Sequence, residues 1–212
     1  MKLPKKYNIQ KTNPEDPLNR YYQPFVKRIY IKRLQMALDC MLPATEKYNN
    51  ILEIGYGSGI FFPELIQHCK KLYGLEIFGK DGKRKVEKMM QRENINAELI
   101  TGSVVKMPFK ENFFDVIFCI SALEHLEPIN LEKAISEIKR VTKKDGLIIL
   151  GFPSNRKIMQ LYCMLVTKNI NFDFHRSDHN LILKTIGNNL KIETIKKFFN
   201  FLPIYYVVKC KK

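Results

Sequence analysis

The sequence predicts an α/β fold: a doubly wound, mostly parallel seven-stranded sheet with helices on both faces. Three observations carry that expectation. A short apolar run enters a glycine-rich turn at Asn50–Gly59 and leaves it toward a helix. Further short apolar runs alternate with amphipathic helical stretches as far as residue 150, the pattern of parallel strands joined by crossover helices. The 212 residues are 45% hydrophobic, enough for one full core, so residues 1–212 read as a single domain.

The elements follow in chain order. Residues 1–20 are polar, carry Pro4, Pro14 and Pro17, and read as a loose basic arm. Residues 21–44 read as an N-terminal helical cap. Phe25, Val26, Ile29, Tyr30, Leu34, Ala37, Leu38, Met41 and Leu42 share one stripe, with Lys27, Arg28, Lys32 and Arg33 on or beside the other face. That helix is expected to pack on the sheet over a ligand mouth. Contact with a membrane surface is the alternative.

Residues 45–152 read as the ligand-binding core. Ile51, Leu52 and Ile54 make a first buried strand, and Ile60–Ile66 starts a helix with Pro63 in its first turn. Lys71–Ile77 is the second strand, Lys80–Glu93 a charged helix, and Asn96–Ile100 the third strand. Asn112–Ile120 leads into the fourth strand and Asn130–Thr142 is an amphipathic helix. A turn at Asp145-Gly146 precedes the fifth strand, Leu147–Leu150. Residues 153–212 read as an acceptor-site segment and the last strands. Lys157–Thr167 is apolar nearly all round, so it is either deeply packed or lines an apolar pocket. Ser177 or Asp178 is placed to cap a helix running to Ile186, which Gly187 would end. Lys191–Phe198 and Ile204–Cys210 are the last two strands.

The glycine turn is the most informative stretch. Its spacing is Glu53-x-Gly55-x-Gly57-x-Gly59, with Ile60 where a dinucleotide fingerprint needs its third glycine. Glu76 ends the second strand 21 residues after Gly55, near the ~20-residue offset at which an acid meets ribose hydroxyls. These motifs, with Ile100–Phe109 and Asn112–Leu126 in the same order, resemble the class I S-adenosylmethionine-dependent methyltransferases, of the small single-domain type. The resemblance covers roughly residues 45–152. It implies a Rossmann-like methyltransferase fold, S-adenosyl-L-methionine as cofactor and S-adenosyl-L-homocysteine as product. It places Glu53, Gly55, Tyr56, Gly57, Gly59, Glu76, Ile77, Ser103, Val104 and Ile120 at the cofactor, with the last two strands pairing as an antiparallel edge. Ser103 departs from the family, which usually has an acid there to hold the adenine amino group.

Composition bounds the remaining possibilities. No apolar run reaches the length of a membrane-spanning helix, and the basic N-terminus lacks the apolar stretch of a signal peptide. The five cysteines are scattered and never spaced Cys-x-x-Cys, which points to a reducing, cytoplasmic setting and gives no metal-ligand set. The net charge of +15 is unevenly placed. Residues 1–33 hold nine Lys/Arg against two Asp/Glu, residues 34–150 sixteen of each, and residues 151–212 eleven against three. The flanks therefore carry all of the excess, which suggests an anionic acceptor or an anionic surface nearby.

Methyl transfer is an in-line displacement that depends on alignment. A hydroxyl acceptor also needs a base, and His125, His175 and His179 are the candidates. No Asn/Asp-Pro-Pro-Tyr/Phe sequence is present, so amino methylation of that type has no support. Three functions fit: a methyltransferase acting on O or N of an anionic small-molecule, saccharide or lipid acceptor; an RNA methyltransferase using the basic flanks and their aromatics; and an inactive S-adenosylmethionine-binding protein, suggested by Ser103. The sequence leaves the oligomeric state open.

Overall fold

The computed structural model describes residues 1–24, 26–41, 46–77, 79–154 and 175–212. Seven strands form one mixed sheet in the order β3-β2-β1-β4-β5-β7-β6. They are β1 (Tyr48–Ile54), β2 (Cys69–Glu76), β3 (Ala97–Thr101), β4 (Phe114–Ile120), β5 (Thr142–Pro153), β6 (Lys191–Phe198) and β7 (Tyr205–Lys211). The first five strands run parallel, and β7 pairs antiparallel with both β5 and β6. The order reverses between β1 and β4, which opens a crevice at their carboxyl ends.

Strand periodicity sorts the core into two layers. Ile51, Val116, Phe118, Ile149 and Val207 face one side, with buried residues of α1 (Val26–Met41) and α3 (Lys80–Glu93). Leu52, Ile54, Ile117, Cys119, Ile148, Leu150 and Val208 face the other, with α4 (Pro128–Val141) and α5 (His179–Asn189). Cys119 and Cys210 are fully buried in these strands, as expected of small apolar side chains.

Several local expectations change. The helix after the glycine turn is a single turn, α2 (Phe62–Leu65), followed by a tight 3-10 turn at Ile66–His68. Asp145 and Gly146 lie inside β5, at a shift in its pairing with β4. A Cβ on Gly146 would sit 3.0 Å from the Phe114 carbonyl oxygen, so the glycine serves close backbone approach here. Gly187 does not end α5, because it lacks the left-handed φ of a helix terminator. Asp178 is the cap, its Oδ1 accepting from Asn180 and Leu181 N–H at 2.8 and 3.0 Å.

The expected loose arm is docked. Ile9, Leu18 and Tyr21 are buried in the core, and the Tyr22 hydroxyl donates to the Pro4 carbonyl at 2.7 Å. Lys5 N–H and Asn8 Nδ2 donate to Glu93 at the end of α3. Asp16 is buried and accepts from Leu18 N–H and from Ser58 Oγ, which pins the arm to the glycine turn. Widely spaced apolar anchors in a polar stretch leave no periodic signal. The apolar stretch Lys157–Thr167 and the residues up to Phe174 lie outside the described residues.

Candidate functional site

Two groups of residues meet at the carboxyl edge of the sheet. The first is built by β1, β2 and the turn between β1 and α2. Gly55, Gly57 and Gly59 all have positive φ (73°, 51° and 74°). Their surroundings differ. A Cβ on Gly55 would lie 2.9 Å from Ala122 Cβ, and one on Gly59 2.8 Å from Met89 Cε. A Cβ on Gly57 would meet nothing within 4 Å, so this glycine faces an open cradle.

Glu76 closes that cradle from the end of β2. Its Oε2 accepts from Gly57 N–H at 2.9 Å and its Oε1 from Ile77 N–H at 2.8 Å. These bonds fix the carboxylate at the rim of the cradle. Beside it, Ile77 is 67% exposed, an apolar surface at the mouth. Ser103 stands after β3. Gly102 N–H donates to the Glu76 carbonyl, and the Ser103 hydroxyl accepts from Val105 N–H at 3.4 Å. Ser103 and Val104 are half-buried at this edge, and Ile120 is buried at the end of β4. Tyr56 differs from expectation: its ring is buried against Phe62 and across Gly74, so its side chain belongs to the core and not to the cradle.

Glu53 lies beneath the turn on β1. It is 5% exposed, and its Oε2 has no hydrogen-bond partner among the described residues. Burial first, and then the Glu76 carboxylate, holds its pKa well above the ordinary carboxylate range. A buried acid of this kind lacks a cation or a donor that a ligand would bring.

The second group was not legible as a unit in the sequence. Arg33, on α1, turns inward. Its Nη2 donates to the Tyr21 hydroxyl at 2.8 Å and its Nη1 to Ser121 Oγ at 3.1 Å. The guanidinium sits 4.3 Å from the Tyr30 ring centroid. The Ser121 hydroxyl in turn meets the Tyr205 hydroxyl at 2.7 Å. Ser121 holds a φ of 57°, a strained conformation for a residue other than glycine, at the end of β4. Burial raises the pKa values of Tyr205 and Tyr21 above the ordinary phenol, while burial opposes the charge of Arg33 and the surrounding Tyr21, Tyr205 and Tyr30 hydroxyls offset it. Lys27, Arg28 and Lys32 are exposed on α1. The four cations grouped in the sequence thus separate into one anchored at the site and three in solvent.

The expected bases occupy different places. His125 closes the turn Leu123–His125 after β4, and its ring lies 5.2 Å from that of His175. Arg176 and Ser177 N–H donate to the Glu124 carbonyl, and Ser177 Oγ donates to the Leu126 carbonyl at 2.7 Å. These bonds hold the segment before α5 against the β4 turn. His179 stacks on Tyr206 at 5.3 Å. A cleft of about 300 Å³ lined by Glu124, Ser154, His175, Ser177 and His179 opens here.

Residues 52–150 match the family described as a methyltransferase domain. That segment is similar to the class I S-adenosylmethionine-dependent methyltransferases. Over 117 residues the chain is 31% identical to an uncharacterized methyltransferase from Schizosaccharomyces pombe. That alignment covers 51% of this chain but only 41% of the relative. A protein from Pyrococcus horikoshii shares the fold, with a TM-score of 0.73, 22% identity, and coverage of 89% and 92% of the two chains. The N-methyltransferase NodS from Bradyrhizobium japonicum, solved with S-adenosyl-L-homocysteine, superposes with a TM-score of 0.68 at 16% identity, covering 95% of this chain and 94% of that one. Within residues 52–150, the cradle of Glu53, Gly57 and Glu76 lies at the crevice where β1 and β4 part.

Proposed function

We propose that this protein transfers the methyl group of S-adenosyl-L-methionine to an oxygen or nitrogen of an anionic small-molecule, saccharide or lipid acceptor. The observation that carries the cofactor is the unpartnered Glu53 oxygen below the open Gly57 position. Residues present fit the group: Glu53 would face its ammonium, Glu76 its ribose hydroxyls, and Ile77 and Val104 the faces of its adenine. Ser103 supplies a hydroxyl where the family usually has a carboxylate. When bound, the cofactor supplies an electrophilic methyl on a sulfonium.

The chain's own part is alignment. Arg33, fixed by Tyr21 and Ser121, holds a positive charge at the carboxyl edge, where it orients an anionic group of the ligands. His125 and His175 stand beside the acceptor-side cleft, in position to hold or accept a proton from a hydroxyl. One observation favours a second reading, an RNA acceptor. Phe199, Phe201 and Leu202 are exposed between β6 and β7, next to Lys196 and Lys197 at the sheet's carboxyl edge. No helix among the described residues is long and apolar enough to cross a membrane.

Calorimetric titration with S-adenosylhomocysteine tests the first step. The wild-type chain binds one equivalent, and Glu76→Ala weakens it. Absence of binding by the wild-type chain would remove the methyl-transfer reading. A methyl-incorporation assay on the bound chain, with RNA and small anionic acceptors in parallel, then separates the two acceptor classes.

A further inference from the structure

A cluster beside the acceptor cleft has a composition that the methyl-transfer geometry does not require. Glu124, His125 and His175 bring one ligand atom each to within 4.8 Å of one another. Glu124 is 3% exposed, and its Oε2 lies buried with no hydrogen-bond partner among the described residues. Glu124 and His175 line the same cleft, and the His125 ring lies 5.2 Å from that of His175. Bonds of about 2.0–2.2 Å to one ion keep ligand atoms within about 4.4 Å of each other. The observed spacing reaches that with a small closure of the side chains.

The backbone is built to keep the three together. Glu124 and His125 share the 3-10 turn after β4, and the Glu124 carbonyl accepts from both Arg176 and Ser177 N–H. Ser177 Oγ reaches the Leu126 carbonyl, and Arg176 pairs with Glu127. Residue 175 is therefore clamped against residue 125 from two sides. His179 lines the same cleft but stacks on Tyr206 and is not one of the three.

We propose that Glu124, His125 and His175 form a binding site for a divalent transition-metal ion such as Zn²⁺, Co²⁺, Mn²⁺ or Fe²⁺. Two imidazoles and one carboxylate suit these ions better than Mg²⁺ or Ca²⁺, which favour all-oxygen sites. Three protein ligands leave coordination positions open toward the cleft, as in sites where a metal meets a substrate. There the ion would bind an oxygen of the acceptor and lower its pKa. That role rests on the methyl-transfer reading, whereas the binding of the ion does not. Sequence spacing hid the site, because its ligands come from parts of the chain about fifty residues apart.

The test uses the full chain, stripped with a chelator and titrated with Co²⁺ and Zn²⁺. Visible absorption of bound Co²⁺ reports imidazole and carboxylate ligation, and calorimetry gives stoichiometry. One equivalent is expected for the wild type. His125→Ala, His175→Ala and Glu124→Gln are each expected to weaken it by at least ~10-fold, the lower bound for disturbing even an outer-shell partner. His179→Ala is expected to leave it unchanged. Thermal melts identify any variant that fails to fold. If Glu124→Gln does so, the two histidine variants decide. Failure of the wild type to take up either ion, or uptake that survives both histidine substitutions, overturns the site. S-adenosylhomocysteine binding, measured on the same samples without metal, keeps this outcome separate from the cofactor reading.

Discussion

The two sides of the carboxyl edge are built by different means. The cofactor side, β1–β2 with its glycine turn, is made from backbone. Gly57 N–H, Ile77 N–H and the Glu76 carboxylate are tied to each other over neighbouring strand ends. The acceptor side is made from side chains brought in from distant parts of the chain: Arg33 from α1, Ser121 from β4, Tyr205 from β7 and His175 from the approach to α5. A backbone device has a fixed spacing and repeats between proteins of one fold. A side-chain device depends on which residues happen to converge, so each protein sets it anew. On the proposed reading, affinity for the cofactor belongs to the first side and choice of acceptor to the second.

The comparison breaks most directly at Gly57. A Cβ there meets no protein atom but occupies the open cradle. Gly57→Val is expected to abolish S-adenosylmethionine binding while costing the fold about 1–2 kcal/mol for its left-handed φ. Gly74→Ala is the matched control within the same layer. Its Cβ would lie 2.6 Å from Tyr56 and 2.7 Å from Phe62, so it is expected to cost about 1–3 kcal/mol of stability and to leave binding by the folded fraction unchanged. Melting temperature and calorimetry on both variants check the pair. A Gly57→Val protein with wild-type affinity would place the ligand elsewhere.

Glu76 sharpens the division within the cofactor side. Glu76→Ala is expected to lose about 1.5–3 kcal/mol of S-adenosylmethionine affinity, the scale of hydrogen bonds to a charged group. Methylthioadenosine, which keeps the ribose, is expected to lose as much, and free methionine almost nothing. Equal losses for all three ligands would exclude a ribose contact.

Glu53 gives the pH dependence. Burial and the Glu76 charge raise its pKa in the fold, so the protonated form is the stabilised one. Its contribution to stability is present below the unfolded value of about 4.3 and is lost as pH rises through the folded value. The melting temperature of the ligand-free chain is therefore expected to fall as pH rises from about 4.3 toward that raised value, and Glu53→Gln to flatten the fall. A ligand ammonium placed beside Glu53 favours its ionised form. Cofactor binding in that window is expected to release a proton to the buffer, seen as a binding enthalpy that varies with the buffer's ionisation enthalpy. Glu53→Gln removes the release.

How far the sequence reached follows the same division. The strands, the glycine turn and the place of Glu76 at the end of β2 were readable because each rests on a local pattern: apolar period, glycine spacing, the offset to the next strand end. Arg33 was grouped with Lys32, because helix periodicity assigns a face and not a reach. A guanidinium at the margin of the buried stripe Tyr30, Leu34, Ala37 can fold over it, and here it does. Ser121 carried no signal, since its positive φ and its contact with Tyr205 arise only once β4 and β7 are set beside β5. The docked arm was missed for a similar reason: Asp16 needs Ser58 opposite it before its burial makes sense.

The smallest expected effect concerns the basic flank. Lys27, Arg28 and Lys32 are exposed, whereas Arg33 is anchored at the edge. Exposed charges act at a distance and are screened over about 8 Å at physiological salt. They therefore raise the encounter rate with an anionic acceptor more than they hold it. Replacing the three by Gln is expected to weaken the acceptor modestly, and chiefly at low salt, with S-adenosylmethionine affinity unchanged. Arg33→Gln is expected to weaken the acceptor at every salt concentration, because its charge sits among Tyr21, Tyr30 and Tyr205 and not in bulk water. Acceptor KM measured across a salt series distinguishes the two. A triple variant whose salt dependence matches the wild type would reduce the flank to solvated surface charge, and would leave Arg33 as the cation of α1 that serves the acceptor side.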